Sequence, residues 1–502
     1  MESSIKKGAL ISYVTIFVNI ITGLLYTPWM IRQIGVSDYG LYALIGSFLS
    51  YFLLDFGLGT AVSRYVSKYK EEGRVEEISN LLSVVIKVFI VIDFFIFLTL
   101  FVCFFYISNI FTGLTADEIE KFKIVYCIAG GFSLLTFPFS YLNGILIAFE
   151  KFVTLKTCDL AQRLLIVILV VVSLCLGYGL YALVFVNSCI GLLIAIYKIV
   201  YISKWGTIKI KLKFFNWQLL KELLKFSAWV FVISIASRLM YNIIPTLLGR
   251  YSNSAEISKF SIAMMIEGYV YTFAGALNGL FLPKVMRLTI NPDSGDKLTD
   301  LMIRVGRFQL VIVGAIITGF LVLGKNFVLL WLGDGFEISY WVTMCLIIPG
   351  IISLIEEIGN TALIAANELR YRAFLFIGAS IISVVGGYFL IPYYGALGAG
   401  IAVNISLIFC HIIGMNVLYA RKLKVNILKF LKKSIVSYLP IILLSMLFAF
   451  ILSRLSYDNT WLSFILVACC YVAVYLVLVW LFFLNRDEKS MFLSIIKKRK
   501  YV

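Results

Sequence analysis

Apolar runs of about 20 residues, bounded by short stretches of charge or turn residues, recur along the whole chain and do not alternate in polarity internally. Segments such as 84-VVIKVFIVIDFFIFLTLFVCFF-105 and 165-LIVILVVVSLCLG-177 suit helices that cross hydrocarbon. Barrel strands would be about ten residues long, with every second one polar. Lipid offers backbone N–H and C=O groups no partner, so the chain must satisfy them within each helix. The pattern predicts an all-α polytopic membrane protein with fourteen transmembrane helices: 8–31, 41–63, 81–107, 124–147, 158–177, 180–202, 226–248, 260–283, 305–324, 341–363, 373–391, 396–419, 435–453 and 461–484.

Composition agrees and narrows the class. Of 502 residues, 61% are hydrophobic and only 14% charged, against about 25% charged in ordinary globular domains. A net charge of +17 would suggest nucleic acid in a soluble chain. Here it reports sidedness, and no nucleic-acid partner is expected. An even number of spans puts both termini on one side, and with that side cytoplasmic, 32 of the 44 basic residues fall in inner segments, as the positive-inside rule requires. The expected location is a bacterial plasma membrane with both termini cytoplasmic. No outer segment exceeds about 16 residues, which leaves no room for an external domain. The nine cysteines all lie in apolar runs without CxxC or Cys/His spacing, so neither disulfides nor a metal centre is expected. No small-residue cleavage site follows the first apolar stretch, which reads as an uncleaved helix.

The chain also resembles itself. At a constant offset of 217, Pro28 matches Pro245, 143-NGILIA-148 matches 360-NTALIA-365, and Leu180, Ala182, Val186 and Asn187 match Leu397, Ala399, Val403 and Asn404. One offset maps span 1 onto 7, 4 onto 10 and 6 onto 12. A duplication of six spans, an even number, gives two lobes of the same orientation related by an axis along the membrane normal. The expected organisation is an N-lobe at 1–202, a cytoplasmic linker at 203–225, a C-lobe at 226–419, extra helices at 420–484 and a basic cytoplasmic tail at 485–502. Two like-oriented bundles facing a cleft suit alternating access.

The opening carries a further signal: 7-KGALISY-13, Pro28, 35-GVSDYGLYAL-44 and 54-LDFGLGTAVSRYVSKY-69. This stretch resembles the start of prokaryotic polysaccharide flippases of the multidrug/oligosaccharidyl-lipid/polysaccharide flippase superfamily. The resemblance implies two six-helix lobes with two extra helices, no enzymatic activity, and translocation of undecaprenyl-diphosphate-linked oligosaccharide repeat units from the inner to the outer leaflet. It implies as partners the lipid-linked substrate, membrane lipids and other membrane proteins of polysaccharide assembly. Cation-coupled multidrug exporters of the superfamily place a carboxylate in span 1, and 8–31 contains none. A membrane-embedded polymerase or acyltransferase would need a large outer loop or a His/Asp constellation, and this chain has one histidine, His411, inside span 12.

Charge within a span costs about 2.5–3.5 kcal/mol on insertion scales, so each instance asks for a reason. Arg238 lies near the midplane of span 7, and a guanidinium fork fits the oxygens of a diphosphate; a structural ion pair with Asp93, Glu267 or Asp55 is the competing account. Arg163 in span 5 is a second candidate for the anionic headgroup. Arg32 and Arg250 follow the matched prolines at the expected outer ends and suit either release of a diphosphate or interface anchoring. Asp55, Asp93, Glu267 and Glu356 are candidates for coupling to H⁺ or Na⁺, or for internal pairing; no other cofactor is expected. Adjacent helical residues point about 100° apart, so Glu356 and Glu357 should not share a site. Pro28 and Pro245 are candidate hinges.

Overall fold

The computed structural model describes residues 2–490 apart from 55, 206–210, 212, 276–284, 286–287, 289–294, 367, 456–459 and 487. It is all-helical, with no strand among the described residues. In chain order the helices are α1 Glu2–Ile34, α2 Val36–Ser50, α3 Leu58–Glu71, α4 Val75–Ile110, α5 Ala116–Thr136, α6 Leu142–Ala148, α7 Phe152–Cys175, α8 Leu180–Ser203, α9 Trp217–Tyr241, α10 Ile243–Tyr251 and α11 Ser254–Gly275. They continue with α12 Gly295–Leu332, α13 Glu337–Ile355, α14 Glu357–Ala365, α15 Leu369–Leu407, α16 Asn416–Leu423, α17 Ile427–Leu431, α18 Ser437–Leu455 and α19 Trp461–Leu478.

Eleven helices among the described residues are long and apolar enough to cross a membrane. Local chain chemistry explains where this number and the sequence pattern part. Expected span 2 is split: α2 stops at Ser50, and Phe56 (φ 54°) and Gly57 (φ 70°) turn the backbone left-handed before α3. Expected spans 11 and 12 form one helical trace, Leu369–Leu423, broken at Gly395, whose φ of 53° and ψ of −130° suit only a residue without Cβ. Expected span 8 corresponds to α11, which runs to the edge of the described segment at Gly275. Other boundaries move outward. α7 begins at Phe152, and α9 begins at Trp217, where the Asn216 side chain accepts from the amides of Gln218 and Leu219.

The chain packs as two compact units, one comprising 1–261 with 376–402, the other 262–375 with 403–502. In the first, Leu41, Leu44, Leu58, Val62, Val84 and Phe89 are fully buried, and Phe48 meets Phe111 edge-on at 5.6 Å. In the second, α12 packs Met302, Val305 and Leu310 into a core with Phe430, Tyr438 and Tyr475. Helices in lipid gain little from hydrophobic burial against each other, so close van der Waals approach and interhelical hydrogen bonds hold such bundles. The clearest interhelical bond system centres on Arg307 of α12. Its guanidinium donates to Glu488 at 2.8 and 3.0 Å, to the Lys433 carbonyl at 3.1 Å and to the Phe483 carbonyl, and sits 4.0 Å from the Phe483 ring centroid. That arrangement ties the chain after α19 to α12.

Candidate functional site

Extension of α7 to Phe152 changes the position of Arg163. It lies eleven residues from the helix start, about 16 Å along the axis at 1.5 Å per residue. The side chain is half-buried, its Nε is buried without a hydrogen-bond partner, and no carboxylate pairs with it among the described residues. Instead the guanidinium stands within electrostatic reach of the Tyr26 phenol of α1 and the Tyr42 phenol of α2. An arginine within a span, free of an acid among the described residues, can receive an anion from outside the chain.

Arg238 is half-buried near the end of α9, four residues before the helix is interrupted at Asn242. It does not pair with Asp93 or Glu267. Each of those carboxylates has a buried oxygen without a hydrogen-bond partner, and neither forms an ion pair among the described residues. Asp55 lies outside the described residues. Glu267, in α11, is 5% exposed. Glu356 stands in the break between α13 and α14; its Oε1 accepts from Asn416 Nδ2 at 2.6 Å while Oε2 has no partner. Glu357 turns elsewhere, accepting from Asn360 at 3.2 Å. Asn416 follows a π-helical stretch, Ile408–Met415, that contains His411, a geometry common where helices are locally adapted. Arg32 and Arg250 are exposed, and the Arg250 guanidinium lies 5.5 Å from the Tyr251 ring centroid. The two prolines differ: Pro28 sits inside the continuous α1, whereas Pro245 opens α10 just past the interruption between α9 and α10. Each compact unit holds a group of its own. Arg163, Tyr26 and Tyr42 form one group, and Glu356, Asn416 and His411 another.

A third group was not singled out from the sequence. The helices α2, α5 and α11 bring their N-termini together, and the Glu118 carboxylate is placed among them. Its Oε1 accepts from the hydroxyls of Ser37 and Ser254, which are themselves 3.1 Å apart. Its Oε2 accepts from the Thr115 amide at 2.9 Å, closing a capping box. One carboxylate thus faces the positive ends of three helices. Beside it, the α2 backbone at Gly40 approaches α11 so closely that a Cβ there would stand 2.1 Å from the Ser254 carbonyl oxygen. The available signal was 115-TADE-118, a capping-box signature inside a segment that reads as a plain loop. No group of three or more His, Cys, Asp or Glu side chains suited to a metal occurs among the described residues.

Comparison with known proteins fixes the class. A family model described as polysaccharide biosynthesis protein matches residues 5–284, more than half of the chain, and the chain belongs to that family. No protein of curated function matches it by sequence. Among solved structures it is similar to the lipid II flippase MurJ in an inward closed conformation, with a TM-score of 0.72 at 17% identity, covering 93% of this chain and 97% of that one. It is also similar to an inward-facing multidrug resistance MATE family transporter of the MOP superfamily (TM-score 0.64, 14% identity, 84% of this chain and 99% of that one). A third similar structure is the MATE multidrug transporter DinF-BH (TM-score 0.62, 14% identity, 84% and 94%). The chain is a multi-pass membrane protein with the flippase and transporter fold that these structures share.

Proposed function

We propose that the protein moves undecaprenyl-diphosphate-linked polysaccharide repeat units from the cytoplasmic to the outer leaflet of a bacterial plasma membrane, by alternating access of two six-helix lobes within a fourteen-span fold. The observation that carries this reading is the Arg163 guanidinium, held within a span with its buried Nε unpartnered and no acid upon it among the described residues. A cation kept unneutralised in lipid at a cost of kcal/mol calls for an anionic visitor, and a diphosphate is one. Arg238, Arg32 and Arg250 provide further cationic stations along the route. The contact of Ser37 with Ser254 supports the alternating-access part, because their positions differ by 217, the repeat offset. Equivalent residues of a duplicated chain that touch each other stand on the axis relating the copies, where two lobes meet and part.

Cation-coupled drug export is the second reading, favoured by the fold shared with the multidrug transporters. The absence of any acid from 8–31 argues against it. A strain deleted for the gene and lacking a backup transporter should accumulate lipid-linked oligosaccharide on the cytoplasmic face. Arg238→Ala should abolish complementation, with Arg238→Lys retaining part of it. Normal surface polysaccharide in the deletion strain removes the proposal, and gradient-driven efflux of small organic cations by the purified protein would install the exporter in its place.

A further inference from the structure

The first unit contains a cavity of about 360 Å³ between α2, α5 and α8. Sites for small molecules occupy about 300–1,000 Å³. Four polar side chains line it, Tyr42, Ser47, Asn187 and Ser188, on an otherwise apolar wall that includes Gly46 and Ala129.

What sets these four apart is their unused hydrogen-bonding capacity. Serines inside the helices of this protein commonly return their hydroxyl to the carbonyl four residues earlier, as Ser83, Ser173, Ser203 and Ser234 do. Ser47 and Ser188 bond no described residue through their hydroxyls, and neither does the Tyr42 phenol. Asn187 returns one N–H to the Leu183 carbonyl at 2.8 Å, leaving its Oδ1 and second N–H open. Its partner at the repeat offset behaves otherwise: Asn404 donates to the Cys345 carbonyl of α13 at 2.6 Å and fastens one helix to another. The two copies have diverged, one amide joining helices and the other facing a cavity.

We infer that this cavity is a subsite for one pyranose residue. Ring hydroxyls exchange hydrogen bonds with Ser47, Asn187, Ser188 and the Tyr42 phenol. A sugar both donates and accepts at every hydroxyl, which suits an amide and two hydroxyls better than a wall of pure donors. The inference rests on the proposed function only in taking the cargo to be a glycan.

Saturation-transfer NMR on the full-length protein in lipid nanodiscs tests it, with glucose as probe and cyclohexanol as a control of similar size. Ring protons of glucose should receive saturation, and the Asn187→Leu/Ser188→Val double variant should bind about tenfold more weakly, equivalent to about 1.4 kcal/mol. Equal thermal melting of each variant and the parent establishes that folding is intact; for any variant that melts lower, the milder Ser188→Ala replaces it. Absence of transfer to glucose, or transfer that persists in the double variant, overturns the subsite. The two readings fail separately. Normal polysaccharide in the deletion strain sinks translocation and leaves the binding result standing, whereas binding lost in the double variant with complementation intact sinks the subsite as a part of transport.

Discussion

Two arginines inside helices show what burial does with a charge. Arg307 is 7% exposed and every face of its guanidinium is occupied, by Glu488, by the Lys433 and Phe483 carbonyls and by the Phe483 ring. Removing one partner of a buried pair strands the other and costs about 3–5 kcal/mol. Arg307→Ala should therefore lower the thermal midpoint of the purified protein markedly, and Glu488→Gln less. Burial pushes the Glu488 carboxyl up, but the bonds from Arg307 and from the Asn485 amide outweigh it and hold it below its ordinary 4.5. A depressed carboxyl contributes stability above its unfolded value and loses it as pH falls through the folded one. The melting temperature should be flat from pH 7 to about 5 and drop below about 4.5, and the Glu488→Gln variant should lack that acid step. Arg163 presents the opposite case. With no partner to strand and an intramembrane charge removed, Arg163→Gln should leave the thermal midpoint equal to or above that of the parent while abolishing complementation. Arg307 stands near the start of the span expected at 305–324, a place from which a long side chain snorkels to the interface; its partner stands 181 positions away, beyond the reach of any periodicity.

At the scale of elements, the apolar runs were legible because lipid leaves a long run of hydrocarbon side chains a single solution. The breaks were not. The interruption at 51–57 and the displaced starts of α7 and α9 arise from turn geometry and from capping by polar residues that also belong to ordinary loops. Glu118 illustrates the limit: its capping box can be read locally, whereas its grip on Ser37 and Ser254 depends on three helix ends meeting. That junction lies at the end of the bundle to which the basic-residue bias assigns the outside. In the lobes proposed from the repeat, α2 and α5 belong to the first and α11 to the second, so the proposed alternating access would separate Ser37 from Ser254 when that side opens. A disulfide between Ser37→Cys and Ser254→Cys, in a version without the native cysteines, should form under oxidation, stop complementation and release it on reduction. A cross-linked protein that still supports surface polysaccharide would show that this junction does not part during the cycle. Gly40→Val should weaken the same contact from the other direction, since its side chain needs space that the Ser254 carbonyl fills.

For the molecule as a whole, orientation is the property on which the direction of transport depends, and it follows from an odd or even count of crossings. Three segments make that count delicate: the split α2 and α3, the α11 segment running to Gly275, and the trace broken at Gly395. Single cysteines in a cysteine-free background read it directly. Asp117 and Tyr393 fall in segments expected outside and Glu72 in one expected inside; all three are exposed, Tyr393 by 83%. Eight crossings separate positions 117 and 393 in the fourteen-span arrangement, so a maleimide that cannot pass the membrane should label Asp117→Cys and Tyr393→Cys in intact cells. Glu72→Cys should react only after permeabilisation. If α11 does not cross, Tyr393→Cys changes sides while Asp117→Cys stays, and all later segments invert with it. The charge bias argues against that inversion, because it would carry 421-RKLK-424 and the basic residues beyond it to the outer face, against the rule that holds lysine and arginine in the cytoplasm. Labelling of Asp117→Cys from outside would thus fix the side of the Glu118 junction, labelling of Tyr393→Cys would show that an even number of crossings separates the two, and together they give the face from which the proposed anionic headgroup would reach Arg163.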